Sequence, residues 1–141
     1  MKTALITGGQ QGIGLGIAQA LSAAGFGVVM APGVEESAPA VQAALQALPK
    51  ARYLRHDLMS GDPAALLDGV GEVTCFVSNA GVPARQRGDM LSVTAESFDH
   101  VMGINLRGAF FLAQEVARRM LAAPSAHYRS MLFITSVSAQ M

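Results

Sequence analysis

The sequence predicts an α/β fold of Rossmann type, a doubly wound parallel sheet truncated after its fifth strand. Three observations point there. Short apolar runs alternate with stretches of helical apolar spacing along the whole chain. The first apolar run passes directly into a glycine-rich turn and then a helix. Clusters of small and polar residues recur just after successive runs, and open parallel sheets hold their ligands beyond the carboxyl ends of their strands.

Taken in order, Ala4–Ile6 is the first strand. Thr7-Gly8-Gly9-Gln10-Gln11-Gly12-Ile13-Gly14 is the turn, and a helix runs from Ile13 to Ala24 with Ile13, Ile17 and Leu21 on one face. Gly25 ends that helix, and Val28–Ala31 is the second strand. Pro39 suits the first turn of the next helix, which aligns Val41, Leu45 and Leu48 before Pro49 stops it. Tyr53–Arg55 is a short third strand. Pro63 opens a short helix with Leu66 and Leu67. Val73–Ser78, rich in β-branched and aromatic residues, is the fourth strand. Thr94 is placed to cap a long helix reaching about Leu121, with Glu96 in its favourable first turn and the apolar faces formed by Phe110, Leu112, Val116 and Met120 expected mostly in the core. Met131–Thr135 is the fifth strand. Strands that alternate with helices need crossover connections, hence a parallel sheet covered on both faces.

Composition narrows the function classes. Hydrophobic residues make up 51% of the 141 and charged residues only 14%, against ~25% charged in ordinary soluble chains. Much of the surface is therefore expected to lie against another copy or against further chain. The formal net charge is zero and no basic run occurs, which argues against nucleic acid or an anionic membrane surface as partner. No apolar run approaches the ~18 residues of a membrane span. The single cysteine, Cys75, allows no internal disulfide and suits the cytoplasm. His56, His100 and His127 are too scattered to predict a metal site.

The candidate chemistry sits at strand ends. Gly8-x-x-x-Gly12-x-Gly14 lets backbone N–H groups approach an anion at a helix start. Its spacing differs from the usual G-x-G-x-x-G, and no Gly-Lys-Ser/Thr follows as in a P-loop. After the second strand, where an acid or base would select the ribose, stand Ala31-Pro32-Gly33. Glu35 and Glu36 come slightly later and read first as a solvated approach to the helix. No Lys or Arg occurs between residues 3 and 49, which favours NAD over NADP as cofactor unless a later residue supplies the charge. Asp57 can accept from an adenine amino group while Leu58 packs the ring, although alone it equally suits an Asx turn. Asn79, Ala80 and Gly81 leave room for a ribose or nicotinamide. Asn105 lies in Gly103-Ile104-Asn105-Leu106-Arg107-Gly108, a cluster of poor helix formers that predicts a local distortion able to free a carbonyl for water, or else close helix packing. Ser136, in Ile134-Thr135-Ser136-Val137-Ser138, offers a hydroxyl to a substrate carbonyl.

Thr7-Gly8-x-x-x-Gly12-Ile13-Gly14, Asp57-Leu58, Asn79-Ala80-Gly81, Asn105 and Ser136 stand in this order across nearly the whole chain. Together they resemble the classical short-chain dehydrogenase/reductase family. Val77–Pro83 and Asn105–Phe111 look like 3-oxoacyl-acyl-carrier-protein reductases within it. The resemblance implies hydride transfer between a nicotinamide and a secondary alcohol or ketone. It implies that Gly8, Gln11, Gly12, Ile13 and Gly14 hold the cofactor's diphosphate side, that Asp57 and Leu58 contact adenine, and that Asn79, Ala80 and Gly81 line the nicotinamide ribose. Ser136 would orient the substrate, and Asn105 would support a proton relay through water. The family's long helix pairs with its symmetry mate, so a homodimer or homotetramer is expected. The family's acid/base pair, a Tyr with a Lys four residues on, has no counterpart: the tyrosines are Tyr53 and Tyr128 and the lysines Lys2 and Lys50. The expectation is an N-terminal part of a longer single-domain enzyme, the rival a nucleotide-binding regulator or scaffold. Gly69-Val70-Gly71-Glu72 also looks short for a full crossover.

Overall fold

A computed structural model describes residues 2–136. Five parallel strands form one sheet: β1 (Thr3–Thr7), β2 (Gly27–Ala31), β3 (Arg52–Tyr53), β4 (Cys75–Ser78) and β5 (Ser130–Phe133), in spatial order β3-β2-β1-β4-β5. The order reverses at β1, whose neighbours are β2 and β4. This is the doubly wound Rossmann-like arrangement that the alternation predicts.

The period-two alternation of strands divides the apolar residues into two cores. Leu5, Val29 and Phe76 face one side and pack with Leu66, Leu67, Leu112 and Val116. Ala4, Ile6, Val28, Met30, Cys75 and Val77 face the other, against Ala18 and Ala44. Helix α1 (Gly12–Ala23) and helix α2 (Pro39–Ala47) cover that second side, and Pro39 takes the first-turn position expected of it.

Several boundaries differ from the sequence reading. β3 pairs only Arg52 with Val29 and Tyr53 with Met30. The backbone continues alongside β2 through Leu54, whose N–H bonds the Met30 carbonyl at 3.0 Å, and His56, which bonds Pro32 at 2.9 Å. β5 spans Ser130–Phe133 rather than Met131–Thr135. The crossover that looks short is made by two turns of helix. α3 (Pro63–Val70) starts on an Asp62 cap, whose carboxylate accepts from the Ala64 N–H at 2.9 Å, and ends where Gly71 turns at φ 84°. Those eight residues carry the chain from the β3 edge to β4.

The long helix is three segments. α4 (Ala95–Met102) is capped by the Thr94 hydroxyl accepting from the Ser97 N–H. A π-helical segment (Gly103–Gly108) follows, then α5 (Ala109–Ala122). The expected distortion is therefore present. Leu112, Ala113 and Val116 reach the sheet, but Phe110, expected in the core, is 57% exposed beside a similarly open Phe111. Phe110 stands two residues before Leu112, about 200° round the same regular helix, so it points away from the face of α5 that meets the sheet.

Candidate functional site

The turn after β1 is shaped by contacts that only glycine allows. Gly8 (φ 64°) and Gly12 (φ 53°) adopt left-handed backbone. A Cβ on Gly14 would lie 2.2 Å from the Gly8 carbonyl oxygen and 2.5 Å from the Asn79 amide nitrogen. The first turn of α1 thus lies directly on the turn that precedes it. At Gly12 the reverse holds, and an added Cβ would meet nothing within 4 Å. Gln11 occupies the N-cap position without a side-chain cap bond, and no acid sits in the first turn. The positive end of α1 therefore lacks a compensating side chain, the condition under which helix starts take anions. Beside it the buried Gln10 Oε1 accepts no hydrogen bond.

The end of β4 is fastened to this turn. The Thr7 hydroxyl oxygen, at a residue 1% exposed, accepts the N–H groups of Asn79 at 3.0 Å and Ala80 at 3.1 Å. The Asn79 side chain donates to the carbonyls of Thr7 at 3.0 Å and Gly8 at 3.2 Å. Thr7 thus fastens two walls of the site, a part that the sequence reading does not give it. Its signal is a hydroxyl at the end of an otherwise apolar strand.

After β3, His56 is buried and Asp57 half-buried. Burial holds the His56 pKa below its ordinary value, with Asp57 and Asp62 pulling weakly the other way. The Met59 N–H and the Ser60 hydroxyl, each 2.9 Å from a different Asp57 oxygen, lower the Asp57 pKa and keep it ionised. The Asx turn is thus real, yet a carboxylate has about four acceptor sites, so lone pairs remain for a ligand. The loop leaving β2 is held from the same side: the Tyr53 hydroxyl donates to the Val34 carbonyl at 2.7 Å, and Arg55 pairs with Glu35.

These strand ends wall one cleft of about 550 Å³. Gly8, Gln11, Gly12, Ile13 and Gly14 form one wall, Asp57 and Leu58 a second, and Asn79, Ala80 and Gly81 a third. Gln10, Gly33, Val34, His56, Val82 and Ile104, to which the sequence reading assigns no contact, also line it. Asn105 and Ser136 do not. The Asn105 side chain instead accepts from the Val82 N–H and donates to the Val82 carbonyl, both at 2.8 Å, tying the π-helical segment to the β4 exit. Ser136 lies exposed beyond β5, whose chain stays in register through the Ile134 N–H on the Ser78 carbonyl at 2.9 Å. Val137 and Ser138 of that motif lie outside the described residues. Among the described residues no three metal-ligating side chains group together. No described helix is long and apolar enough to cross a membrane.

The cleft can seat an anion over the start of α1 and a hydrogen-bond donor at Asp57. The family model described as short chain dehydrogenase matches residues 2–141. The chain is 34% identical over 143 residues to 3-oxoacyl-[acyl-carrier-protein] reductase MabA of Mycobacterium tuberculosis, covering 97% of this chain and 51% of that protein. It is 33% identical to galactitol 2-dehydrogenase of Agrobacterium fabrum, covering 86% of this chain and 48% of that protein. A crystal structure of 3-oxoacyl-[acyl-carrier protein] reductase from Brucella melitensis in complex with NAD superposes with a TM-score of 0.85 and 39% identity, over 99% of this chain and 57% of that one. The chain thus spans about half the length of the curated relatives it matches.

Proposed function

Since the chain belongs to the short chain dehydrogenase family, we propose that its cleft binds NAD(P) and serves an oxidoreductase interconverting a secondary alcohol and a ketone. The observation that carries this reading is the single cleft walled by the ends of β1, β3 and β4. The residues fit the cofactor on their own terms. Gly12 leaves open space at the uncapped start of α1, where a diphosphate would lie, and Gln10 Oε1 is an acceptor awaiting a donor. Gly8, Gln11, Ile13 and Gly14 shape that seat. Asp57 would accept from the adenine amino group over Leu58, and Asn79, Ala80 and Gly81 would border the nicotinamide ribose.

The bound nicotinamide supplies the hydride; the chain's residues position it and exclude water. Ser136 would orient the substrate oxygen. Asn105, through its paired bonds to Val82, would fix the backbone beside Gly81 and assist proton movement. NAD is favoured over NADP because, among the described residues, no Lys or Arg lines the cleft. A 3-oxoacyl thioester is the first substrate to assay, since relatives from two genera carry that reductase's name. The open Phe110 and Phe111 suit a homodimer or homotetramer, and the single buried thiol of Cys75 suits a cytoplasmic setting.

The test is titration of the full-length protein with NADH and NADPH, read by nicotinamide fluorescence and melting. A ligand at 100 times its Kd adds about 2.7 kcal/mol to stability. Gly12→Asp, which sets a carboxylate where the phosphates would lie, should weaken NADH at least about tenfold. Absence of any response to either dinucleotide overturns the proposal.

A further inference from the structure

We infer that His56 is a positioning residue for the adenine end of the cleft: its uncharged ring supports the loop 57–61, and a proton on that ring loosens the bound dinucleotide. The inference rests on the dinucleotide reading of the cleft. Asp57 and Leu58, the wall that would meet adenine, begin a short loop at which three cavities converge. One is the cleft itself, and two more, of about 400 and 450 Å³, open beside it. Among the described residues His56 alone lines all three. A residue only 5% exposed thus stands at their junction.

The loop folds back onto the ring. The Gly61 N–H bonds the Asp57 carbonyl at 2.6 Å. A Cβ on Gly61 would stand 2.8 Å from His56 Nδ1 and 2.9 Å from Cε1, so only glycine fits against the imidazole. Within the same loop the Met59 N–H and the Ser60 hydroxyl hold the Asp57 carboxylate. The His56 N–H is anchored to the Pro32 carbonyl at 2.9 Å. The backbone of His56 is therefore fixed, and the loop is the part that can yield.

The charged groups around the ring are already engaged. Asp57 is held by its own loop, and Asp62 caps α3 through the Ala64 N–H. Arg55, on the second cavity, pairs with Glu35. Across the first cavity stand Arg107 of the π-helical segment and Glu115 and Arg118 of α5, the last two paired at 3.6 Å. Burial outweighs the pull of Asp57 and Asp62 and keeps the ring neutral. A charged ring would need water, and admitting water past Gly61 lifts the loop. Asp57 then loses the bonds that orient it, and Leu58 moves with it. A bound dinucleotide holds the loop down and opposes the proton, so by reciprocity the proton opposes the dinucleotide. Affinity is therefore full while His56 is neutral. It falls as pH drops through the His56 value of the unliganded fold, which lies below about 6.5.

The test measures the Kd of ADP-ribose, which carries adenine and the diphosphate without nicotinamide, by calorimetry on the full-length protein between pH 7.5 and 5. The unaltered protein should weaken by about tenfold across that range, the size expected for one linked proton. His56→Gln, which has no proton to gain, should stay within about twofold. Gly61→Ala sets a methyl against the ring at every pH and should cost about tenfold at pH 7.5. That variant and the unaltered profile decide the matter should His56→Gln fail to fold. A flat profile in the unaltered protein, an equal slope in His56→Gln, or full affinity in Gly61→Ala overturns the inference alone. If the unaltered protein binds neither ADP-ribose nor NADH at pH 7.5, the dinucleotide reading falls and the inference with it.

Discussion

Thr7 and Asn79 hold each other by opposite ends. The Thr7 hydroxyl accepts the Asn79 main-chain N–H, and the Asn79 side chain returns a bond to the Thr7 carbonyl, each at 3.0 Å. The ends of β1 and β4 are thereby fixed as one rim, 72 residues apart in sequence. The glycine turn and the Asn79-Ala80-Gly81 turn cannot move separately without breaking this exchange.

Thr7→Val keeps the shape but removes the acceptor. It leaves the N–H groups of Asn79 and Ala80 facing a residue only 1% exposed. An unmet buried donor costs about 1–3 kcal/mol, so a loss of at least about 2 kcal/mol is expected. Thr7→Ser, which retains the oxygen, should lose less than half as much. Urea midpoints at constant slope check both, and equal losses would show that the methyl group, not the hydroxyl, matters.

Two glycines of α1 should respond in opposite directions. Gly14→Ala places a methyl 2.2 Å from the Gly8 carbonyl oxygen, backbone that cannot swing aside. A destabilisation of about 2 kcal/mol or more should follow. Gly16→Ala, in the same helix with nothing within 4 Å, should stabilise by about 0.4–1 kcal/mol. Chemical denaturation of the two variants side by side settles the comparison. A mild effect at Gly14 would mean the turn can relax away from the helix.

His56 gives the fold an acid-side weakness. Burial favours its neutral form, whereas the unfolded chain takes up the proton near pH 6.5. Below that value the unfolded state binds more protons, so stability declines as pH falls from about 6.5 toward the lowered folded pKa. Asp57, with its lowered pKa, works further down: its contribution persists above about 3.9 and is lost below. Melting temperatures between pH 7.5 and 5 should therefore drop less steeply in His56→Gln than in the unaltered protein. Parallel slopes would remove His56 from the account.

The sheet was legible because its punctuation is chemical. Gly25, Pro39 and Pro63 stand where helices end or begin in space as in sequence, and apolar alternation marks which strand residues face which core. The three cleft walls were legible because each lies immediately after a strand. What pattern alone hides is partnership across the chain. Nothing local to Arg55 names Glu35, and nothing in Asn105 names Val82, since each pair meets only once crossovers have been built. β3 is misjudged for a related reason: Leu54 and Arg55 have strand-like composition, but only Arg52 and Tyr53 find register partners on β2. Phe110 is misjudged because, two residues from Leu112, it lies on nearly the opposite side of α5 from the face that reaches the sheet.

That six-residue segment has an evolutionary corollary. Each residue of an α-helix advances the chain by about 100°, so inserting or deleting a single position before Ala109 would swing Leu112, Ala113 and Val116 away from β4 and bring Phe110 or Phe111 inward. The exposed Leu106 and Arg107 are open to exchange, whereas Asn105, bonded to Val82, and Gly108, where a Cβ would strike the Leu58 carbonyl, are not, and neither is the number of residues. Descendants of this gene should vary there in spelling and never in length.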